Sequence, residues 1–286
     1  MSKNKTPEPS SHHKKRLKAH YGFVKMPFSK YMWAKNMFDS QGQRELLASL
    51  HMWTEVRGVA LVSGPSGVGK SITLRRFVSE LPNDRFHVVD FTYLPSTVYG
   101  FLRSLGRQLG VTTSRYAADQ FDAVKAHLSA WQDEHGTHPI VIIDDAEGLP
   151  VAVLDTIRRL TAYDLDAEDR FSVLISGTED IVGRLRHPAL VPLKSRITYA
   201  QTLRTFGMED TRNYVVHQLR RADADAGLLS DGAVQTLFQA SKGTARSINQ
   251  LAMQALIAGA ATGVDKLDQR FMARLIREHP LYQSAG

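Results

Sequence analysis

The chain has 286 residues, 43% of them apolar and 23% charged, which suffices for a sizeable core and for one large domain with an appendage or two domains. It contains no cysteine, which excludes disulfides, thiolate metal sites and cysteine nucleophiles and fits a reducing compartment. No apolar run approaches the about 20 residues that span a bilayer, and the N-terminus lacks an apolar signal core, so the composition points to a cytoplasmic protein without a membrane partner.

The net charge of +7 is unevenly spread. Residues 1–20 carry Lys3, Lys5, Lys14, Lys15, Arg16 and Lys18 against Glu8 alone, a net of +5. With Pro7, Pro9, His12, His13 and His20, this segment reads as a disordered arm attracted to polyanions. Tyr21-Gly22-Phe23 and Met26-Pro27-Phe28 follow as an aromatic entry segment with two turn signals. Leu46, Leu47, Leu50 and Trp53 recur at helical spacing, predicting a helix that ends near Arg57-Gly58.

The apolar run 59–62 then leads into Gly64-Pro65-Ser66-Gly67-Val68-Gly69-Lys70-Ser71, and a helix-permissive stretch from Ile72 to Leu81 follows. This string fits G-x-x-x-x-G-K-[ST] in the strand, loop and helix context that a phosphate-binding loop requires. Glycines let the backbone turn and aim its N–H groups at a phosphate, while the helix start adds partial positive charge. Lys70 is placed to reach the β- and γ-phosphates of a nucleotide, and the Ser71 hydroxyl to hold Mg²⁺.

Phe86 to Phe91 is a second strand. Val98, Phe101, Leu102, Leu105 and Leu109 form one face of a helix, with Arg103 and Arg107 four apart on another. Residues 110–116 read as a loop, and a helix is expected from Asp119 to about Glu134. Ile140-Val141-Ile142-Ile143 is an unbroken apolar run that ends in Asp144-Asp145, which suits a strand buried on both faces with its acids at the ligand-bearing end. A helix from about Val151 to Tyr163, a strand from Phe171 to Ser176, a turn at 177–180 and a strand from Ile197 to Leu203 complete an alternating pattern. That pattern argues for a three-layer α/β domain with a parallel sheet over residues 21–205. Beyond it, helices at 209–225, 230–241, 244–261 and 265–278, separated by Gly227, Gly243 and Gly263, predict a small all-helical domain over 206–286.

Among the acids, Asp144 is expected to share Mg²⁺ with Ser71, and Asp145 to orient or deprotonate the attacking water. Together, the loop at 64–71, the acids in Val141-Ile142-Ile143-Asp144-Asp145-Ala146-Glu147 and the helical tail resemble an AAA+ ATPase. More narrowly, Tyr21-Gly22-Phe23, Pro27-Phe28-Ser29, Arg186 to Leu190, Lys194 to Ile197 and Gly243 to Asn249 are similar to the group of TnsC-like and MuB-like transposition regulators and ExeA-like secretion ATPases.

The resemblance implies an AAA+ core with a helical lid, ATP and Mg²⁺ as cofactors, with Ile72 beside the bound nucleotide. It places Thr178 at the sensor of the γ-phosphate, Arg196 as an arginine finger offered to a neighbouring subunit, and Arg246 at the second sensor on the lid. It departs from the family at Asp145, where a glutamate is usual; the shorter side chain implies slow hydrolysis, with Glu147 able to compensate. As a function it implies an oligomer, ring or filament, on duplex DNA that recruits or activates a transposase. DNA would be met by Arg103, Arg107, Thr112, Thr113 and Arg115, mostly through phosphates. The ExeA-like alternative, a secretion-associated ATPase acting on protein or cell-wall partners, implies a membrane helix and a peptidoglycan-binding module, neither of which occurs up to Gly286.

Overall fold

The computed structural model describes residues 9–29, 37–91, 94–162 and 169–282. Lys3, Lys5, Pro7, Glu8 and Tyr163 lie outside them, as do the side chains of His12, His13 and Lys14. The chain divides into two compact units, one of residues 41–204 and one of residues 1–40 with 205–286.

The first unit is built on five parallel strands: β1 (Val59–Ser63), β2 (Phe86–Asp90), β3 (His138–Ile143), β4 (Ser172–Ser176) and β5 (Ile197–Thr202), in the order β2-β3-β4-β1-β5. The three central strands are buried along their whole length, and their side chains alternate between two cores. Val59, Leu61, Val141, Ile143, Val173 and Ile175 enter one core, which α4 (Val98–Gln108), α5 (Ala117–His135) and α6 (Val151–Leu160) cover. Ala60, Val62, Ile140, Ile142 and Leu174 enter the other, covered by α2 (Gln41–Val56) and α3 (Lys70–Glu80). Burial of each such valine, leucine or isoleucine stabilises by about 1.5–3 kcal/mol, so a continuous apolar run is what a strand packed on both faces demands. The three-layer α/β architecture is therefore as the sequence leads one to expect. Edge strand β5 alternates between half-buried and exposed residues.

Two short helices, α7 (Asp180–Arg184) and α8 (Val191–Lys194), replace the bare turn expected after β4. At five and four residues they fall below the window in which helical periodicity can be read.

The second unit is helical: α1 (Pro9–Tyr21), α9 (Met208–Arg220), α10 (Asp231–Ser241), α11 (Ala245–Thr262) and α12 (Gln269–Glu278). It corrects the expectation of a disordered arm, because residues 9–20 are helical and Leu17 is buried among Leu251, Ala255 and the other core residues. Tyr21 Oη donates to the carbonyl of Val264 at 3.0 Å, and Lys18 Nζ to that of Val24 at 2.6 Å, tying the end of α1 down. Phe23 and Phe28 join the same core. The segment expected to open the α/β domain thus groups with residues 205–286.

Candidate functional site

Parallel register brings three strand ends together. Val62 pairs with Ser176, and Ile143 with Ile175, so the chain leaves β1, β4 and β3 side by side at Gly64, Gly177 and Asp144. The amide of Gly177 donates to the carbonyl of Val62 at 3.0 Å, fixing two of these exits to one another.

The loop after β1 turns through positive φ at Gly64 (148°), Gly67 (81°) and Gly69 (115°). A β-carbon at Gly64 would collide with the carbonyl oxygen of Leu203, so that position needs glycine for space as well as for conformation. Lys70 is 6% exposed, and its Nζ donates to the carbonyls of Gly64 at 2.7 Å and Pro65 at 3.2 Å. The ammonium is thereby held inside the curl of its own loop. Val68 is buried, Pro65, Gly67, Gly69 and Ile72 are half-buried, and Ser66 and Ser71 are exposed.

Asp144 follows the last residue of β3 and is half-buried; its Oδ1 accepts from the amide of Asp145 at 3.0 Å. Asp145 is exposed and left-handed, with φ 54°, and starts a 3₁₀ turn over residues 146–148. In that turn Glu147 reaches across to β4: its Oε2 accepts from the amide of Thr178 at 3.1 Å. A β-carbon at Gly177 would stand 2.6 Å from the same carboxylate oxygen, so the close approach depends on glycine there. The hydroxyls of Thr178 and Ser176 are both buried and meet no partner among the described residues. An orphaned buried hydroxyl costs free energy unless something arrives to satisfy it.

These features fit a nucleoside triphosphate with a divalent cation. The glycine turn and the start of α3 offer backbone N–H groups and partial positive charge to an anion, and Lys70 adds a full charge beside them. A hydroxyl, one carboxylate and waters are the donor set that Mg²⁺ takes at phosphate sites. Among the described residues no cluster of three or more histidine, aspartate or glutamate side chains could hold a metal on its own.

Arg196 stands elsewhere. It precedes β5 and lines an open cleft of about 460 Å³ with Gly58, Val59, Arg158, Thr161 and Ser195, and its Nη1 donates to the carbonyl of Thr161 at 3.2 Å. The cleft is at the amino edge of the sheet, while the phosphate loop is at the carboxyl edge. The five residues of β1 lie between them, about 15 Å at a strand rise of about 3.3 Å. Arg246 belongs to the other unit, where it is exposed in the first turn of α11.

Arg103 and Arg107 are exposed on α4, and Thr112, Thr113 and Arg115 are exposed in the connection to α5. The three arginines make no ion pair among the described residues. The connection is itself ordered by local bonds: Tyr99 Oη donates to the Ser114 carbonyl at 2.8 Å, and the Ser114 amide to Gln120 Oε1 at 2.8 Å.

Two side chains at the site were not singled out from the sequence. Arg184 on α7 donates to the carbonyl of Leu149, just beyond the acidic turn, and bridges it to the 177–184 segment. Gln43, 3% exposed, lies against the loop, with its Nε2 2.9 Å from where a Gly69 β-carbon would be. Gln43 had a legible signal, since it is a polar residue on the buried stripe of α2; Arg184 had none.

Residues 54–185 match the family model described as AAA domain. Among solved structures, the ORC2 protein of Aeropyrum pernix in its ADPNP–ADP complexes aligns with a TM-score of 0.66 at 16% identity, over 88% of this chain and 71% of that one. The fold is that of an AAA+ ATPase. Drosophila ORC bound to DNA shares this AAA+ fold with a TM-score of 0.61 at 15% identity, over 96% of this chain and 68% of that one. General secretion pathway protein A of Aeromonas hydrophila is 29% identical over 253 residues, 86% of this chain and 45% of that protein, so the chain spans less than half the length of that curated relative. Among the described residues no helix is long and apolar enough to cross a membrane.

Proposed function

We propose that the protein is a Mg²⁺-dependent ATPase whose nucleotide state governs its assembly on duplex DNA, in the manner of a transposition regulator that recruits or activates a transposase. The observation that carries the ATPase reading is the meeting of the 64–71 loop, Asp144 and the unsatisfied Thr178 hydroxyl at one edge of the sheet. In this reading Lys70 leaves the loop carbonyls to neutralise phosphate charge, and Ser71 and Asp144 hold the metal. Bound Mg²⁺ would supply electrostatic stabilisation of the phosphoryl group being transferred. Thr178 donates its hydroxyl toward the terminal phosphate, and Asp145 orients water with Glu147 behind it. Arg246 acts from the lid as the second sensor. Arg196, one strand length from its own loop, serves a nucleotide held by a neighbouring copy, which ties occupancy to assembly.

DNA as the partner is supported by the exposed Arg103, Arg107 and Arg115 and the net charge of +7. The transposition role rests on the sequence blocks set out above. The test is duplex binding and filament or ring formation with ATP, beside Lys70→Ala and Arg196→Ala. Lys70→Ala should lose nucleotide binding, and Arg196→Ala should keep it but fail to assemble. A wild type that does not bind DNA at low salt with ATP would overturn the reading. One observation favours a second reading, a secretion-associated ATPase acting on protein or cell-wall partners: the 29% identity to general secretion pathway protein A.

A further inference from the structure

The helical unit carries a basic cleft that the nucleotide site does not use. It has a volume of about 620 Å³ and is lined by Val264, Lys266, Phe271 and the arginines Arg270, Arg274 and Arg277, with Asp268 and Glu278 at its ends. On α12 the three arginines fall within about 60° of one another around the helix axis and along about 10 Å of its length. All three are exposed, and none makes an ion pair among the described residues. Like charges three and four apart destabilise a helix, and on α12 a single acid, Glu278, stands against the three arginines, so the row is a cost to the free protein.

The nearby acids are turned to other partners or unpaired with the row: Asp265 faces His20 Nε2 at 3.6 Å, and Glu278 makes no ion pair with the three arginines among the described residues. Asp268 Oδ1 is occupied as the cap of α12, accepting from the Phe271 amide at 2.7 Å. Lys266 meets Asp225 only loosely, at 3.8 Å. Arg274 is instead positioned by a ring, with its guanidinium 5.5 Å from the centre of Phe271. A second basic element reaches the same rim. His20 and Tyr21, at the end of α1, both bond to the carbonyl of Val264, at 3.2 and 3.0 Å. This brings the exposed Lys15 and Arg16 of α1 to within about two helical turns of the cleft.

We infer that this cleft and the adjoining face of α1 bind the phosphate backbone of duplex nucleic acid. A row of guanidinium forks on one helix face suits phosphate oxygens. A protein partner would be expected to anchor apolar side chains, yet none of the large exposed apolar residues, Val24, Met52, Tyr116, Ile257 and Leu281 among them, lines the cleft. The inference shares with the proposed function only DNA as the partner, and it adds a contact on a different unit.

The test is anisotropy of a labelled mixed-sequence duplex titrated with the full chain at several salt concentrations. The triple variant Arg270→Gln, Arg274→Gln, Arg277→Gln is compared with wild type, with a variant changed at Arg103, Arg107 and Arg115, and with Arg212→Gln as a control cation of the same unit. Thermal unfolding checks that each variant folds. The α12 triple variant is expected to bind about tenfold or more weakly and to lower the slope of log K against log salt by about 2–3, roughly 0.9 for each lost phosphate contact. An unchanged affinity and slope would overturn the inference, and would leave the proposed function standing if the Arg103, Arg107 and Arg115 variant still lost binding. Binding of a polyglutamate chain as tight as that of DNA, lost in the same α12 variant, would overturn nucleic acid as the occupant.

Discussion

The two edges of the parallel sheet treat their cations in opposite ways. At the carboxyl edge Lys70 is almost wholly buried and its ammonium is clasped by two loop carbonyls. At the amino edge Arg196 is half-buried in an open cleft, one strand length away. The first arrangement suits a ligand held by the chain itself, and the second suits a group brought by another molecule.

The largest expected effect breaks the carboxyl edge alone. Lys70→Ala should weaken ATP binding by two to three orders of magnitude, measured by titration with a fluorescent analogue, while the apo protein stays folded. A comparable fall in Arg196→Ala would remove the distinction between the edges.

The amino edge also has a titratable marker in His138, the first residue of β3, whose Nε2 lies 2.9 Å from Ser172 Oγ. Burial, with a smaller contribution from Arg57, pushes its pKa down to about 4. The unfolded chain therefore takes up this proton first. Stability from the neutral ring is fully present above about pH 6.5 and declines as pH falls toward about 4, by up to about 3 kcal/mol. His138→Gln should flatten that part of a chemical-denaturation profile, and ATP affinity should not follow it.

Smaller effects sharpen the assignment of roles. Arg196→Ala should reduce hydrolysis about tenfold or more at protein concentrations where the wild type assembles, with nucleotide affinity kept within a few-fold. Thr178→Val removes a hydroxyl that has no partner among the described residues, so turnover should fall about tenfold while the unfolding midpoint holds or rises. Asp145→Glu should change the hydrolysis rate by a few-fold without altering nucleotide binding, and equal rates would exclude Asp145 from the reaction.

Most of the α/β unit was legible because its central strands are apolar runs that end in recognisable chemistry. The 59–63 run leads into the glycine loop, and the 138–143 run into Asp144. Helix α1 was not legible, since Leu17 and Tyr21 are a single i,i+4 apolar pair in an otherwise polar stretch, too short a pattern to read as periodic, and its docking depends on Tyr21 meeting Val264, more than 240 residues away. For the same reason Arg184 was missed: its role is a bond to the main chain of Leu149, and sequence does not display a carbonyl's need for a donor. Glu147 was noticed as an acid, but its grip on the Thr178 amide follows from the pairing of β3 with β4.

Strand β5 joins the two edges physically. It starts directly after Arg196 and ends directly before Leu203, whose carbonyl fills the space beside Gly64, and its last residue shares a 2.8 Å hydroxyl contact with Ser63. In the reading proposed above, a neighbour that docks on Arg196 would press on a six-residue strand that ends at the mouth of the glycine loop. After a register shift at its start, the strand pairs without a break from Tyr199 to Thr202 with Ala60 to Ser63, and that stretch of ladder, without a side-chain relay, is the link through which one copy would sense the next.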